Sequence, residues 1–403
     1  MPGPLDGYRV VELSEGVAGP YAAMELGDAG ADVLKIEKLE GDRARGWGSQ
    51  AKGDLGSSFF GMNRNKRGVA LNLGSDDGVA VAKKLLEGAD VVIADAGWSK
   101  HPDLQPEALI KSNPGLVYLN ISEYGERGPM AGRAPYGELS AQLASEATTS
   151  LGVIGEAPVR VATDVAQMFT GIYGVQAICA ALYARDTAGG QRIDISLFGT
   201  MVAMRSTLWV ALANPDEWWG FHLDSYVKPR DFGYACKDGR IYFSLARPTQ
   251  EQRDDLYREF NMEWVRQDPQ FDLLNTDTAG GTSRYSHVVK PLWERAFKDL
   301  PKTKVIEAVR KTGGWAFEKN TYEELVNSEQ AQFIGLIDTR EHPGIGPVST
   351  VAIPWEFADT PASIRRPAPR LGEHADEVLG AAGFSTSDIS GLRSRGVLAG
   401  ATA

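Results

Sequence analysis

Hydrophobic and polar positions in the first half of the chain follow two alternating periods. Short apolar runs predict strands, and the stretches between them carry apolar residues every three or four positions, which predicts helices. The predicted strands are Tyr8–Leu13, Asp32–Ile36, Val69–Leu73, Asp90–Ala94 and Val117–Ser122. Strands separated by helices favour an α/β fold with a parallel, doubly wound sheet.

Three helices of this half carry end signals. Pro20 suits the first turn of a helix that stops at Gly30. Ser75 or Asp76 is predicted to cap the next helix and Gly88 to end it. The segment Val161–Phe198 predicts a helix of small residues after Asp164, then a glycine break and a strand.

The pattern changes near residue 205. Residues 214–231 mix aromatic, proline and charged residues without a clear period, which predicts a linker or a binding loop. Tyr234–Leu245 predicts a hairpin that turns at Asp238-Gly239. Residues 250–330 predict a charge-rich, helical smaller domain, before strand character returns at Gly346–Ile353 and a short helix at Ala375–Ala382.

Composition and charge narrow the classes of partner. The 403 residues are 43% hydrophobic and 24% charged, as in ordinary globular proteins. The net charge of −11 argues against nucleic acid as a partner. With two cysteines and neither an apolar run of about 18 residues nor a leader pattern, we expect a cytoplasmic protein without a membrane segment.

Common cofactor and nucleophile motifs are missing from the sequence. The turn after the first strand is EGVAGP rather than G-x-G-x-x-G, and there is no Walker motif or G-x-S-x-G elbow. The five histidines have no spacing typical of metal ligands. Cys179 lies on the apolar side of the third helix, where core packing is expected. We therefore expect no metal and no permanently bound cofactor.

Asp164 is the candidate nucleophile. Its spacing to Gln167 fits a capping box, in which both side chains only cap the helix. A carboxylate at a helix start is also stabilised as the anion, and a positioned carboxylate can attack a thioester or a phosphoanhydride. The two interpretations are compatible.

Two further clusters have both a functional and a structural interpretation. Asn63–Arg67 is a compact basic cluster before a strand, where it could bind phosphates or form a solvated face. Trp218, Trp219 and Phe221 could face a bulky substrate or lie buried in a linker.

Several long segments, in order, resemble the class III CoA-transferase family, also called the CaiB/BaiF family. They are GYRVVELSEGVAGPYAAMELGDAGADVLKIEKLEGDRAR, MNRNKRGVALNL, the segment Val161–Phe198, which ends in GQRIDISLF, and HPGIGPV with RRPAPRLGEHADEVL. The resemblance covers nearly the whole chain and is weakest at 210–330.

The resemblance implies a Rossmann-like large domain and a smaller α+β domain. Residues 1–205 would form the first part of the large domain, 206–330 the linker and small domain, and 331–403 a segment that returns to the large domain. Family members form interlocked dimers with CoA between the domains, so a homodimer, or a heteromer with a related subunit, is expected.

The resemblance also implies a transfer of CoA from an acyl-CoA donor to a carboxylic acid through a covalent intermediate on Asp164. Lys38 matches a position that meets the CoA phosphates, and the substrate is expected near Gly137, Glu138, Trp218 and Trp219. The remaining residues implied to line the CoA site are Val17, Ala18, Arg64, Lys66, Arg67 and Leu71.

Departures from the family pattern leave alternatives open. Asp95 stands where members often carry a CoA-contacting Asn, and the nearby Arg is missing. The superfamily also contains α-methylacyl-CoA racemases, but Gly137 stands where their acid–base histidine would be. A third possibility is a subunit of a heteromeric CoA-transferase, in which a chain that keeps Asp164 would be the active partner.

Overall fold

A computed structural model describes residues 1–48, 51–52, 55–96, 98, 101–131, 164–204, 233–245, 249–267, 286–343 and 345–400. The chain divides into two compact units. The first unit comprises Met1–Ser145, Thr163–Met204 and Glu329–Ala403. The second unit comprises Glu146–Ala162 and Arg205–Ser328.

The strands of the described residues are numbered here in chain order. They are β1 Arg9–Leu13, β2 Asp32–Glu37, β3 Ala51–Lys52, β4 Leu55–Gly56, β5 Lys66–Leu71, β6 Val91–Asp95, β7 Val117–Ser122, β8 Arg192–Ser196, β9 Tyr234–Cys236, β10 Gly239–Ser244, β11 Trp315–Glu318, β12 Ile337–His342, β13 Gly346–Val351 and β14 Leu398–Ala399.

The α-helices are numbered in the same way. They are α1 Ala18–Asp28, α2 Ser57–Met62, α3 Asp76–Leu86, α4 Pro106–Ser112, α5 Val165–Ala188, α6 Leu197–Ala203, α7 Gln250–Glu259, α8 Ser286–Phe297, α9 Lys302–Lys311, α10 Tyr322–Val326, α11 Glu329–Phe333, α12 Ala375–Ala381 and α13 Thr386–Ser394.

A seven-stranded sheet organises the first unit, in the order β14-β5-β2-β1-β6-β7-β8. All neighbours are parallel except β14, which pairs antiparallel with β5. After β1 the chain builds outward through β2 and β5, and then crosses back to place β6 on the other side of β1. The direction of winding therefore switches between β1 and β6, which is where open α/β sheets bind ligands.

Most predicted strand and helix positions are confirmed. Ser75 caps α3 by accepting a hydrogen bond from the Gly78 N–H. The third predicted strand, Val69–Leu73, is displaced: β5 begins at Lys66 because Lys66 and Arg67 pair with Val33 and Leu34 of β2. Polar residues at the start of a strand carry no apolar signal, so the sequence pattern placed its start too late.

Helix α5 is the long connection between β7 and β8, and it packs against α1. By length and composition it is apolar enough to cross a membrane, whereas the sequence pattern predicts no such segment. One helix of this kind is weak evidence of a membrane-spanning segment, because a buried core helix can have the same length and apolar composition. Its buried side includes Ala166, Gly171 and Ile178, whereas Cys179 is exposed, so the predicted core packing of Cys179 is wrong.

The second unit is built on the antiparallel sheet β11-β10-β9. Its core is aromatic, with Tyr234, Phe243, Trp293 and Phe297 in mutual edge or tilted contact. The predicted hairpin is present, but Cys236 pairs with Gly239. The turn residues are therefore Lys237 and Asp238, and Gly239 already belongs to the second strand.

The C-terminal part of the first unit closes one edge of the large sheet. Helix α12 confirms the helix predicted there, whereas α13 and β14 were not predicted. Leu398 of β14 lies opposite Leu71, and Ile389 and Leu392 of α13 join the same buried cluster. The chain end thus covers the strand β5 that would otherwise be an edge.

Candidate functional site: a cavity at the carboxyl edge of the sheet

A cavity of about 460 Å³ lies at the carboxyl edge of the sheet, at the point where the winding switches. The segments that follow four parallel strands meet there, because parallel strands all end on the same side. Its polar lining comes from Glu15 after β1, Lys38 after β2, Asp95 of β6 and Glu123 after β7. Gln167 and Leu197, from the two helices α5 and α6, complete part of the wall.

Two cations face this cavity. Lys38 is about half exposed and its Nζ lies 2.7 Å from Glu15 Oε1. Arg43 packs its guanidinium against Gly16, where an added Cβ would lie 3.0 Å from Arg43 Nη2. Gly16 also has a φ of 85°, a conformation that side chains disfavour. Glycine at this turn therefore lets a cation approach the backbone at the cavity, where an anionic ligand group could be bound.

Asp95 closes the cavity at the end of β6. Its Oδ2 accepts a hydrogen bond of 2.8 Å from the Glu15 N–H, which ties the end of β6 to the turn after β1. Burial raises the pKa of Asp95 to about 7, against the hydrogen bond from Glu15 and the positive charge of Arg43, which lower it. The cavity thus contains a carboxyl group that changes charge near neutral pH.

Asp164 is exposed and immediately precedes α5. Its backbone carbonyl accepts the first helical hydrogen bond from the Met168 N–H at 2.9 Å. Its side chain makes no capping hydrogen bond, so the capping box predicted with Gln167 is wrong. The carboxylate therefore lies at the positive end of the dipole of a 24-residue helix, but it makes no hydrogen bond that caps this helix.

Gln167 makes a different contact from the predicted one. Its Oε1 accepts a hydrogen bond of 3.4 Å from the Ala18 N–H at the start of α1. One turn further along α5, an added Cβ on Gly171 would lie 2.8 Å from the Ala18 carbonyl oxygen. The start of α5 therefore rests directly on the turn that lines the cavity.

The basic residues predicted to line the CoA site form ion pairs inside the first unit. Lys66 Nζ lies 2.8 Å from Glu12 Oε2, and Arg64 Nη2 lies 2.7 Å from Asp28 Oδ2. Arg67 Nη2 lies 2.6 Å from Asp32 Oδ2. None of the three lines the cavity. Their contact with CoA stays a prediction, and the structure provides carboxylate partners for all of them.

The apolar residues predicted to line the CoA channel lie in different places. Ala18 lines the cavity. Val17 is buried next to it, and Leu71, the last residue of β5, is fully buried in the core. Gly137, Glu138, Trp218, Trp219 and Phe221 lie outside the described residues.

Sequence reasoning missed Glu15, Arg43, Glu123 and Gln167 as parts of the cavity. Glu15 and Glu123 could have been found, because each follows a predicted strand directly and the carboxyl ends of parallel strands converge. Arg43 and Gln167 carry no such signal. Among the described residues no cluster of three or more His, Cys, Asp or Glu side chains has the arrangement of a metal site.

Comparison of the chain with known proteins finds a family whose model matches most of its length. The family model described as CoA-transferase family III matches residues 5–375. The chain is 30% identical over 393 residues to the succinate–glutarate CoA-transferase of Agrobacterium fabrum, covering 93% of this chain and 95% of that protein. It is 26% identical over 397 residues to the (R)-2-hydroxy-4-methylpentanoate CoA-transferase of Clostridioides difficile, covering 96% and 98%.

A solved structure has a similar fold. The crystal structure of a CaiB/BaiF family protein from Brucella suis superposes with a TM-score of 0.78 at 27% identity. The match covers 95% of this chain and all of that one. The fold described above is thus that of a whole related chain.

Proposed function

This chain belongs to CoA-transferase family III, and we propose that it moves CoA from an acyl-CoA donor to a carboxylic acid acceptor through a covalent intermediate on Asp164. It is an enzyme of the class III CoA-transferases.

The placement of Asp164 is the observation that carries the proposal. The exposed carboxylate of Asp164 immediately precedes α5 and makes no capping hydrogen bond. Gln167, one turn later, lines the cavity. A nucleophile must reach its substrate, and this carboxylate is not engaged in a capping bond. The dipole of α5 favours the anion that attacks.

The reaction needs four balanced exchanges at this carboxylate. An Asp164 oxygen attacks the thioester carbon of the donor, the C–S bond breaks, and a mixed anhydride and CoA thiolate form. The thiolate then attacks the Asp164 carbonyl carbon, which releases the donor acid and leaves an aspartyl-CoA thioester. The acceptor carboxylate repeats the two steps in reverse order, which restores free Asp164. No metal, resident cofactor or net proton enters this balance.

We assign the CoA thioester to the cavity at the carboxyl edge. Lys38 and Arg43 would meet anionic groups of CoA, and the turn with Val17 and Ala18 would contact its chain. Asp95 would take the place of the usual amide contact. Gly137, Glu138, Trp218 and Trp219 remain proposed substrate residues, on the family resemblance alone.

A dicarboxylic acyl group is the proposed cargo. The relative from Agrobacterium fabrum is named for succinate and glutarate and matches nearly the whole chain. The relative from Clostridioides difficile is named for a branched 2-hydroxy acid. Succinyl-CoA and glutaryl-CoA are therefore the first donors to test, and a branched 2-hydroxyacyl-CoA is the comparison.

The test is intact mass spectrometry after incubation with each acyl-CoA and hydroxylamine. We expect a hydroxamate at Asp164 in the wild type with at least one donor. In Asp164→Ala we expect no adduct and a loss of turnover of at least about 1,000-fold, because a covalent nucleophile is lost. Asp186→Ala, at the other end of the same helix, is the control, and it should keep both the adduct at Asp164 and the turnover.

Retained turnover in Asp164→Ala would reject the covalent mechanism. Deuterium exchange at the α-carbon of a branched acyl-CoA without any adduct would favour the racemase alternative. A homodimer or a heteromer with a related subunit stays a prediction, which sedimentation of the purified chain with and without acyl-CoA would test.

A further inference from the structure

Four charged side chains form a buried cluster between the large sheet and the start of α1. Lys35 Nζ lies 2.6 Å from Glu12 Oε1 and 2.8 Å from Asp42 Oδ2. Lys66 Nζ lies 2.8 Å from Glu12 Oε2, and all four side chains are fully buried. The two positive and two negative charges balance, which offsets the large cost of taking each one out of water.

Such a cluster is a weak source of stability, because well-packed apolar residues often do as well in its place. Its position suggests another role. Lys35 Nζ donates to the Ser14 carbonyl at 2.9 Å, and Asp42 Oδ1 accepts from the Gly16 N–H at 2.9 Å. Lys66 Nζ donates to the Pro20 carbonyl at 2.8 Å. The cluster thus holds the backbone of the turn 14–20 at three points.

The turn 14–20 contacts both the cavity and the start of α5. Glu15 and Ala18 line the cavity, and the Ala18 N–H donates to Gln167 of α5. The close approach of Gly171 to the Ala18 carbonyl fixes the distance between the turn and α5. A shift of the turn would therefore move the start of α5, where Asp164 lies.

We propose that Lys66 is a positioning residue, which holds the turn 14–20 and through it the start of α5, so that Asp164 meets the acyl-CoA in a reactive geometry. The inference rests on the proposed function and differs from the sequence-based prediction that Lys66 meets a CoA phosphate. Lys66 acts from inside the protein and touches neither substrate.

The titration of Lys66 supports this role. Burial lowers the pKa of Lys66 to about 8, against the attraction of Glu12, and the nearby charge of Lys35 lowers it further. Asp42 after β2 raises the pKa of Lys66, and Asp28 of α1 also interacts with its charge. Above about pH 8 the ammonium loses its charge, its ion pair with Glu12 is lost, and the hold on the turn weakens.

Stability is expected to follow a different course with pH. Between about pH 8 and the unfolded-state pKa of a lysine, the unfolded chain binds more protons than the folded one, so this group does not lower the free energy of unfolding as pH rises. A fall in turnover above pH 8 without a fall in melting temperature would therefore reflect positioning.

The experiment compares Lys66→Met with Lys290→Met. Lys290 is also a buried lysine paired with a glutamate, Glu294, but it lies in the second unit. In folded Lys66→Met we expect kcat to fall at least about tenfold and the rate of adduct formation at Asp164 to fall with it. We expect KM for acyl-CoA to change less than about threefold. The alkaline fall in kcat should vanish, and Lys290→Met should behave as the wild type.

A second variant removes the risk that Lys66→Met leaves Glu12 buried and unpaired. Glu12→Gln/Lys66→Met removes one charge of each sign and keeps the Lys35–Asp42 pair, so it should fold and show the same loss of kcat. Unchanged kcat in the folded double variant would overturn the inference. A change in KM alone, with weaker salt dependence, would overturn it in favour of a phosphate contact. A wild type that forms no adduct would instead reject the proposed function.

Discussion

At the scale of single residues, burial of Asp95 lowers the free energy of unfolding at neutral pH, which the sequence alone does not reveal. A carboxylate at the end of a strand is ordinary in a sequence, but here it lies in a cavity wall and accepts a hydrogen bond from Glu15. Burial raises its pKa to about 7, so the folded protein binds a proton there that the unfolded chain has released. By linkage, the contribution of this group to stability falls as pH rises from about 4 to about 7.

The prediction is that Asp95→Asn stabilises the protein mainly at neutral and alkaline pH. Asn keeps an acceptor for the Glu15 N–H and carries no charge to bury. We expect the melting temperature to rise by a few degrees at pH 8 and by much less at pH 4.5. Asp359→Asn, at an exposed position, is the control. Parallel melting curves for Asp95→Asn and the wild type at both pH values would contradict the assignment.

At the scale of elements, the crossing of α1 and α5 sets the geometry of the candidate site. Gly171 permits this crossing, because a side chain there would meet the backbone carbonyl of Ala18. A backbone atom cannot swing away as a flexible side chain can, so the helices would have to separate. The start of α5 would then leave the turn that lines the cavity.

We predict that Gly171→Ala lowers both turnover and melting temperature, although alanine favours helix formation over glycine by about 1 kcal/mol. Gly380→Ala in α12 is the matched control, because an added Cβ there meets nothing within 4 Å. That variant should be neutral or slightly more stable. Equal, harmless effects of the two substitutions would mean that the α1–α5 crossing tolerates expansion.

Element boundaries show where pattern reasoning succeeds. Strand β7 has the bounds predicted for it, because its apolar run is long and ends in polar residues. Strand β5 starts three residues before the predicted position, since its first residues are charged and become strand by pairing with β2. The capping box at Asp164 failed because Gln167 finds a partner on α1, which is distant in the sequence.

At the scale of the whole molecule, the large sheet is completed by the end of the chain. Strand β14 pairs with β5, and Ile389, Leu392 and Val397 are buried in the core that the first 120 residues begin. Burying one such side chain contributes about 1.5–3 kcal/mol. Together with Leu398 these are four side chains, and their summed contribution approaches the free energy of unfolding of a typical domain.

Truncation after Phe384 is therefore predicted to unfold the first unit. It removes α13 and β14, exposes the edge of β5 and opens the core. We expect loss of soluble protein, or of a cooperative melting transition, measured by thermal denaturation. Truncation after Gly400 is the control and should melt as the full chain does. A cooperative transition within a few degrees of the full chain after truncation at Phe384 would show that the sheet is stable without β14.

The sequence by itself determined the fold class, the family and the candidate nucleophile. Periodic apolar runs specify strands and helices locally, and long ordered motifs identify the family, so the α/β fold and the family resemblance are both confirmed. Only the tertiary structure decided which charged side chains meet one another. Lys66 is a candidate phosphate ligand in the sequence, but it lies 2.8 Å from Glu12, 54 positions earlier in the chain, and is not among the described residues that line the cavity at the carboxyl edge. The partners of a buried charge are set by the strands that pack together, and sequence spacing does not encode that packing.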